Sequence, residues 1–229
     1  MKKKLIIFGT AEIAQIAYFY FKEFTDYEIS FFSIDQEFIK EDKFCNIPII
    51  PFQDVEKKFT PEEYDFHIAL SYQKLNQLRE KKFFEVKRKN YKIASFVSEN
   101  SHINLNKIHL GENCFILENQ TIQNGVRLGN NVMIWSSNHI GHNSVIGDHT
   151  YISSNVVISG HCTIGSRCFF GVNSSVADFC NIGDDCFIGM SSSINKDLKK
   201  SSTAVNRSTE IYDADNKLAL KIKKNFFKF

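Results

Sequence analysis

Four of the chain's seven histidines fall within 23 residues: His139, His142, His149 and His161. Imidazole exchanges protons near neutral pH, so such a cluster points first to general acid–base chemistry. The rival chemistry is metal binding, which needs three or four convergent ligands. His142 is the leading base. It stands in the run Ile140-Gly141-His142-Asn143, two residues after an aliphatic, where a corner turns the side chain outward. Six cysteines offer nucleophile, disulfide or metal chemistry, but no CxxC is present.

A six-residue register positions these groups. Fifteen consecutive positions at a step of six, from Leu110 through Ile116, Ile122, Leu128, Ile134, Ile140 and on to Ile194, carry an aliphatic residue or Phe. A helical period of 3.6 or a heptad drifts out of this phase; a hexapeptide parallel β-helix does not. The next slot is Gly at 111, 129, 141, 147, 165, 171, 183 and 189. These glycines are expected to supply the positive φ of each corner. Five of the six cysteines take the small slot four residues after the aliphatic, which makes them small buried hydrophobes. Three hexapeptides make one coil of 18 residues, so Leu110 to about Lys199 gives five coils. An 18-residue step places Asn124, His142 and Gly160 in one corner column. Gly160 could then present its N–H to a carbonyl beside the base, an arrangement suited to acyl transfer.

The first hundred residues carry a different pattern. Leu5 to Phe8, Tyr27 to Ile34, Tyr64 to Leu70 and Lys92 to Val97 read as strands. Ala11 to Phe24 and Gln73 to Asn90 read as helices, and the alternation predicts a parallel sheet with helices on its faces. The start is too short in apolar residues for a signal peptide. No run of about 20 apolar residues exists to span a membrane. A net charge of +2 gives no argument for nucleic acid. Several unpaired thiols fit a reducing cytoplasm. Only eight charged residues lie between Leu110 and Asn195, as expected of a surface covered in a homo-oligomer, most simply a threefold one. The tail beyond Asn216 holds five lysines and no acid; it reads as a cap on the last coil.

With these residues in view, the chain resembles the bacterial sugar acyltransferases of the left-handed β-helix superfamily, of the sialic-acid and bacillosamine acetyltransferase type. The resemblance rests on Leu5 to Ala11, on Phe96 to Ile103, and on Asn138-His139-Ile140-Gly141-His142-Asn143-Ser144-Val145-Ile146-Gly147-Asp148. It implies an α/β Rossmann-like domain over residues 1–100, an all-β left-handed β-helix over 101–199 and a C-terminal capping tail over 200–229. It further implies an acetyl-CoA-dependent N-acetyltransferase acting on a nucleotide-linked amino sugar, cytoplasmic and homotrimeric, with no metal. In that reading His142 is the base and Asn143 orients it, where many relatives place an acid. Tyr151, Gly160, Val172 and Met190 line the acetyl-CoA path, and Gly9, Thr10, Ala11 and Asp35 meet the nucleotide. The same base serves a hydroxyl acceptor, so O-acetylation of a surface glycan or its precursor remains the alternative. Zinc β-helix enzymes of the carbonic anhydrase class share the fold, but their four-residue histidine spacing is absent.

Overall fold

A computed structural model describes residues 3–227 of the chain. Residues 1 and 2 of the basic start and 228 and 229 of the basic tail lie outside the described residues. The first unit is α/β. Its strands are β1 (Lys4–Phe8), β2 (Glu28–Ile34), β3 (Lys43–Phe44), β4 (Ile47–Pro51) and β5 (Tyr64–Ile68), in the order β3-β4-β2-β1-β5. Its helices are α1 (Glu12–Phe24), α2 (Val55–Lys58) and α3 (Gln77–Arg88). The α1 helix buries Ala14, Ala17 and Phe21, spaced three and four residues apart, on one stripe. The sheet is mixed, a correction to the all-parallel expectation. β3 turns back antiparallel onto β4 through Cys45 and Asn46, both at positive φ, a two-residue hairpin. Lys92 to Val97 forms no strand of this sheet beyond a bridge from Ile93 to Phe66; Phe96–Val97 belongs to the next unit.

From Phe96 onward the chain winds into a parallel β-helix with three faces. The first face holds seven two-residue strands, including those of Phe115, Met133, Tyr151, Phe169 and Phe187. The second carries Thr121, His139, Val157 and Ser175 outward, and the third Arg127, Val145, Thr163 and Asn181. These parallel sheets and the hexapeptide phase fit a left-handed β-helix. Every register position from Ile116 to Ile194 is buried, and Leu110 is half-buried against the same core. The interior cysteines 114, 162, 168, 180 and 186 are free and buried, and burial pushes the Cys114 and Cys168 thiols up to about 12. The winding starts earlier than the register reads. Val97 pairs with Ile116 and Ile103 with Ile122, a step of 19 that the extra residue around Leu105–Lys107 shifts out of phase. At the other end Leu198 bridges Ile182 and Ala204 pairs with Ile188, and both pack on the core. The last helix, α4 (Lys217–Phe227), leaves Leu218, Leu220 and Ile222 about half exposed.

The corner glycines need a correction. Among glycines, only Gly9 and Gly125 have positive φ. The left-handed residue is instead the third after each aliphatic: Asn113, Asn131, Asn143, Asn155, His161 and Asn173 among others. Asparagine adopts that conformation more readily than most residues, which explains its abundance there. The slot glycines serve close approach between coils. A Cβ on Gly147 would lie 2.5 Å from the Gly165 carbonyl carbon, and one on Gly141 2.5 Å from the Gly160 nitrogen.

The two units are bound by packing and polar contacts. Phe21 and Phe32 share one apolar cluster with Phe96, Phe115, Met133 and Tyr151 of the first face. Tyr20 donates to Glu118 (2.6 Å), and the Arg79 guanidinium, fully buried at 1% exposure, donates to the His149 carbonyl at 2.9 Å.

Candidate active site

His142 stands at the corner between the second and third faces, exposed at the mouth of an open cleft of about 640 Å³. His102, Thr121, Gln123 and Asn124 line the same cleft. Three contacts fix the ring. Gln123 Oε1 lies 2.8 Å from the His142 backbone N–H and 2.9 Å from Nδ1. The ring rests over Gly160, where an added Cβ would fall 2.8 Å from Cε1 and 3.1 Å from Nε2. Its edge meets His161 with centroids 4.9 Å apart.

Two expected roles change. Asn143 was to orient the base, but its side-chain oxygen lies against Gly125 of the preceding coil. Asn143 is the left-handed residue of its corner (φ 55°). Gln123 makes the contact expected of it. Gln123 fills the slot after Ile122 that glycine fills at most corners; a long polar side chain in a small slot was the signal available in the sequence. Gly160 is beside His142, as the column predicts, yet its N–H already donates to Asp178 Oδ1 at 2.9 Å. Its missing Cβ is what seats the ring.

The other histidines separate. His149 is buried at 2% exposure, and desolvation lowers its pKa to about 4. It belongs to a polar ladder at the corner between the third and first faces. Asn113 Oδ1 accepts from the Ile68 N–H (2.7 Å), so Asn113 Nδ2 donates to Asn131 Oδ1 (2.7 Å). Asn131 Nδ2 then donates to His149 Nδ1 (2.8 Å). Arg167 continues the column, bridging Glu80 of α3 (2.9 Å) and Asp185 (2.6 Å). These contacts hold the first unit on the β-helix. Among the described residues no group of three or more His, Cys, Asp or Glu is placed to hold a metal ion.

Tyr151, Val172 and Met190 line one cleft of about 610 Å³, with Tyr72, Trp135 and Phe169. Val172 is 40% and Met190 67% exposed, an apolar strip on the corner between the first and second faces. Tyr151 is buried, packs on Phe169 and Tyr72, accepts from the Trp135 indole and is pushed up to about 12 by desolvation. Gly160 is not part of this cleft. Val172 and Met190 sit at one edge of the second face and His142 at the other, and one chain does not bring them together.

The nucleotide-loop residues divide as well. Gly9 (φ 127°) sits where a Cβ would meet the Ala69 carbonyl oxygen at 2.7 Å. Ala11, at the start of α1, lines a cleft of about 420 Å³ with Glu12, Ser71, Tyr72, Trp135 and Tyr151. This cleft shares Tyr72, Trp135 and Tyr151 with the Val172–Met190 cleft, so the two are contiguous. Thr10 is half-buried between Gly9 and Ala11. Asp35 follows β2, which runs beside β1, but its side chain lines a separate cleft and pairs with Lys82 Nζ at 2.7 Å.

The comparisons agree with this architecture. The bacterial transferase hexapeptide (six repeats) matches residues 125–160, and the hexapeptide repeat of succinyl-transferase matches 162–177. No curated protein matches the sequence. Among solved structures, the acetyltransferase domain of PglB from Neisseria gonorrhoeae, in complex with acetyl coenzyme A, superposes with a TM-score of 0.77 at 16% identity, covering 89% of this chain and 96% of that one. PerB from Caulobacter crescentus, in complex with CoA and GDP-perosamine, gives 0.77 at 15%, covering 89% and 94%. WeeI from Acinetobacter baumannii gives 0.58 at 15%, covering 89% and 97%. At these identities the likeness is one of fold. Residues 125–160 and 162–177 thus carry the hexapeptide repeats that these families describe, and the chain has the fold of the solved structures it aligns with.

Proposed function

We propose that the chain is an acetyl-CoA-dependent N-acetyltransferase acting on a nucleotide-linked amino sugar. The observation that carries this is the His142 corner: an exposed imidazole, anchored through Nδ1 and seated on a glycine, at the mouth of an open cleft. The ligands named for the PglB domain and PerB structures support the same substrate classes. In this reading the acceptor nitrogen attacks the thioester carbonyl and His142 Nε2 removes its proton. The C–N bond forms, the C–S bond breaks, and the thiolate leaves to be protonated. General-base catalysis of this kind contributes roughly 10²–10⁴-fold. The Gly160 N–H serves the developing oxyanion only once Asp178 moves off it.

The apolar strip of Val172 and Met190 suits the pantetheine arm of acetyl-CoA. The contiguous cleft at Ala11 suits the nucleotide of the acceptor, with residues 1–100 acting as a Rossmann-like nucleotide-binding unit. Residues 101–199 then form the acyltransferase unit, and 200–229 a tail. Because His142 and the strip lie across the second face from each other, a site combining both takes them from two copies, as in a homotrimer. Five buried free thiols fit a cytoplasmic enzyme. The test is a panel of sugar nucleotides with acetyl-CoA, read by thiol release and product mass. An acetylated amine supports the reading; an acetylated hydroxyl replaces it with O-acetylation.

A further inference from the structure

We propose that Gln123 is the positioning residue of the base, holding the His142 ring in the tautomer that leaves Nε2 free. This rests on His142 being the base of the proposed transfer.

Three observations support it. First, Gln123 Oε1 accepts from the His142 backbone N–H at 2.8 Å, and a backbone N–H can only donate. The atom facing His142 is therefore the amide oxygen. Second, the same oxygen is 2.9 Å from His142 Nδ1. An oxygen that only accepts there requires the proton on Nδ1, and in a neutral imidazole the lone pair then falls to Nε2. Third, the ring reaches Gln123 while lying on the bare backbone of Gly160, where a Cβ would fall 2.8 Å from Cε1.

The device crosses coils. Gln123 belongs to the coil before His142 and takes the slot that the smaller Gly141, Ser159 and Ala177 take at the same corner of the next three coils, so its long side chain can reach the ring. Its partner is a neutral amide. No carboxylate is hydrogen-bonded to the ring, so charge formed on the imidazole during proton transfer is met by a dipole. The titratable groups facing His142 are His161, edge-on at 4.9 Å, and His102 across the cleft. Asp178 is turned to the Gly160 N–H.

The test uses the full chain and two variants. Gln123→Ala is compatible with the coil, because Ala177 occupies the equivalent slot. It should lower kcat by roughly 10- to 100-fold and leave KM for acetyl-CoA and for the sugar nucleotide within about twofold. Gln123→Glu keeps an acceptor oxygen at the same reach. It should restore kcat and move the acidic limb of the pH–kcat profile to higher pH, because a carboxylate favours the protonated ring. Unchanged kcat in Gln123→Ala overturns the proposal.

A second readout needs no substrate. Long-range ¹H–¹⁵N NMR of the imidazoles should show His142 protonated on Nδ1 in the unsubstituted protein and a mixture in Gln123→Ala. An Nε2-protonated ring in the unsubstituted protein contradicts the proposal even if transfer is observed. The expected tautomer with no transfer to any sugar nucleotide instead counts against the proposed function and leaves the positioning geometry standing.

Discussion

At the residue scale, the site depends on one ring and what touches it. His142→Ala should abolish thiol release from acetyl-CoA while its sedimentation stays that of the unsubstituted protein. Gly160→Ala is a finer probe. The added methyl falls within 3.2 Å of three ring atoms of His142, all at the end of a movable side chain. The fold can yield by moving the ring, so stability should change by less than about 1 kcal/mol in urea unfolding. Activity should fall at least tenfold, because the ring no longer sits where Gln123 holds it. His149 shows the opposite use of an imidazole. Its folded pKa of about 4 lies below the unfolded value near 6.5, so the unfolded chain binds more protons between those limits. Its contribution is full above about pH 6.5 and is lost as pH falls toward 4. Urea midpoints measured from pH 7.5 down to 4.5 should decline, and less steeply in His149→Asn.

At the element scale, the coil is a repeated joint whose slots have separate duties. Gly147→Ala tests this against Gly160→Ala. Its methyl would meet the Gly165 backbone, which cannot swing aside. The cost should be about 3 kcal/mol or more by overpacking, read as a lowered thermal midpoint. The aliphatic and cysteine slots were legible because burial demands them in phase, and from Ile116 to Ile194 the phase never breaks. The repeated glycine draws the left-handed slot to itself by composition, whereas Asn113, Asn131, Asn143, Asn155 and Asn173 repeat in the true position. The first two strands, Phe96–Val97 and His102–Ile103, escaped because one extra residue shifts them off the step of six. In the site, the column arithmetic set His142 beside Gly160. It could not tell that Gln123 reaches across a coil or that Asp178 caps the Gly160 N–H. Both depend on side-chain direction, and spacing alone does not fix direction.

At the scale of the whole molecule, the α/β unit covers the lower first face, and the second and third faces stay open. Val157 is exposed on the second face, and Val172, Met190 and Phe179 along its edges, an apolar surface that the proposed homotrimer would cover. Val157→Lys should weaken self-association, measured by light scattering. If the donor cleft and His142 come from different copies, activity should fall with it.

The most direct test of the account is one assay. The protein and its His142→Ala variant are each incubated with acetyl-CoA and a panel of nucleotide-linked amino sugars, with free thiol and product mass followed together. The unsubstituted protein should give stoichiometric thiol and an N-acetylated sugar nucleotide, and the variant neither. Full thiol release by His142→Ala, or no acetylated product from any member of the panel, would contradict it.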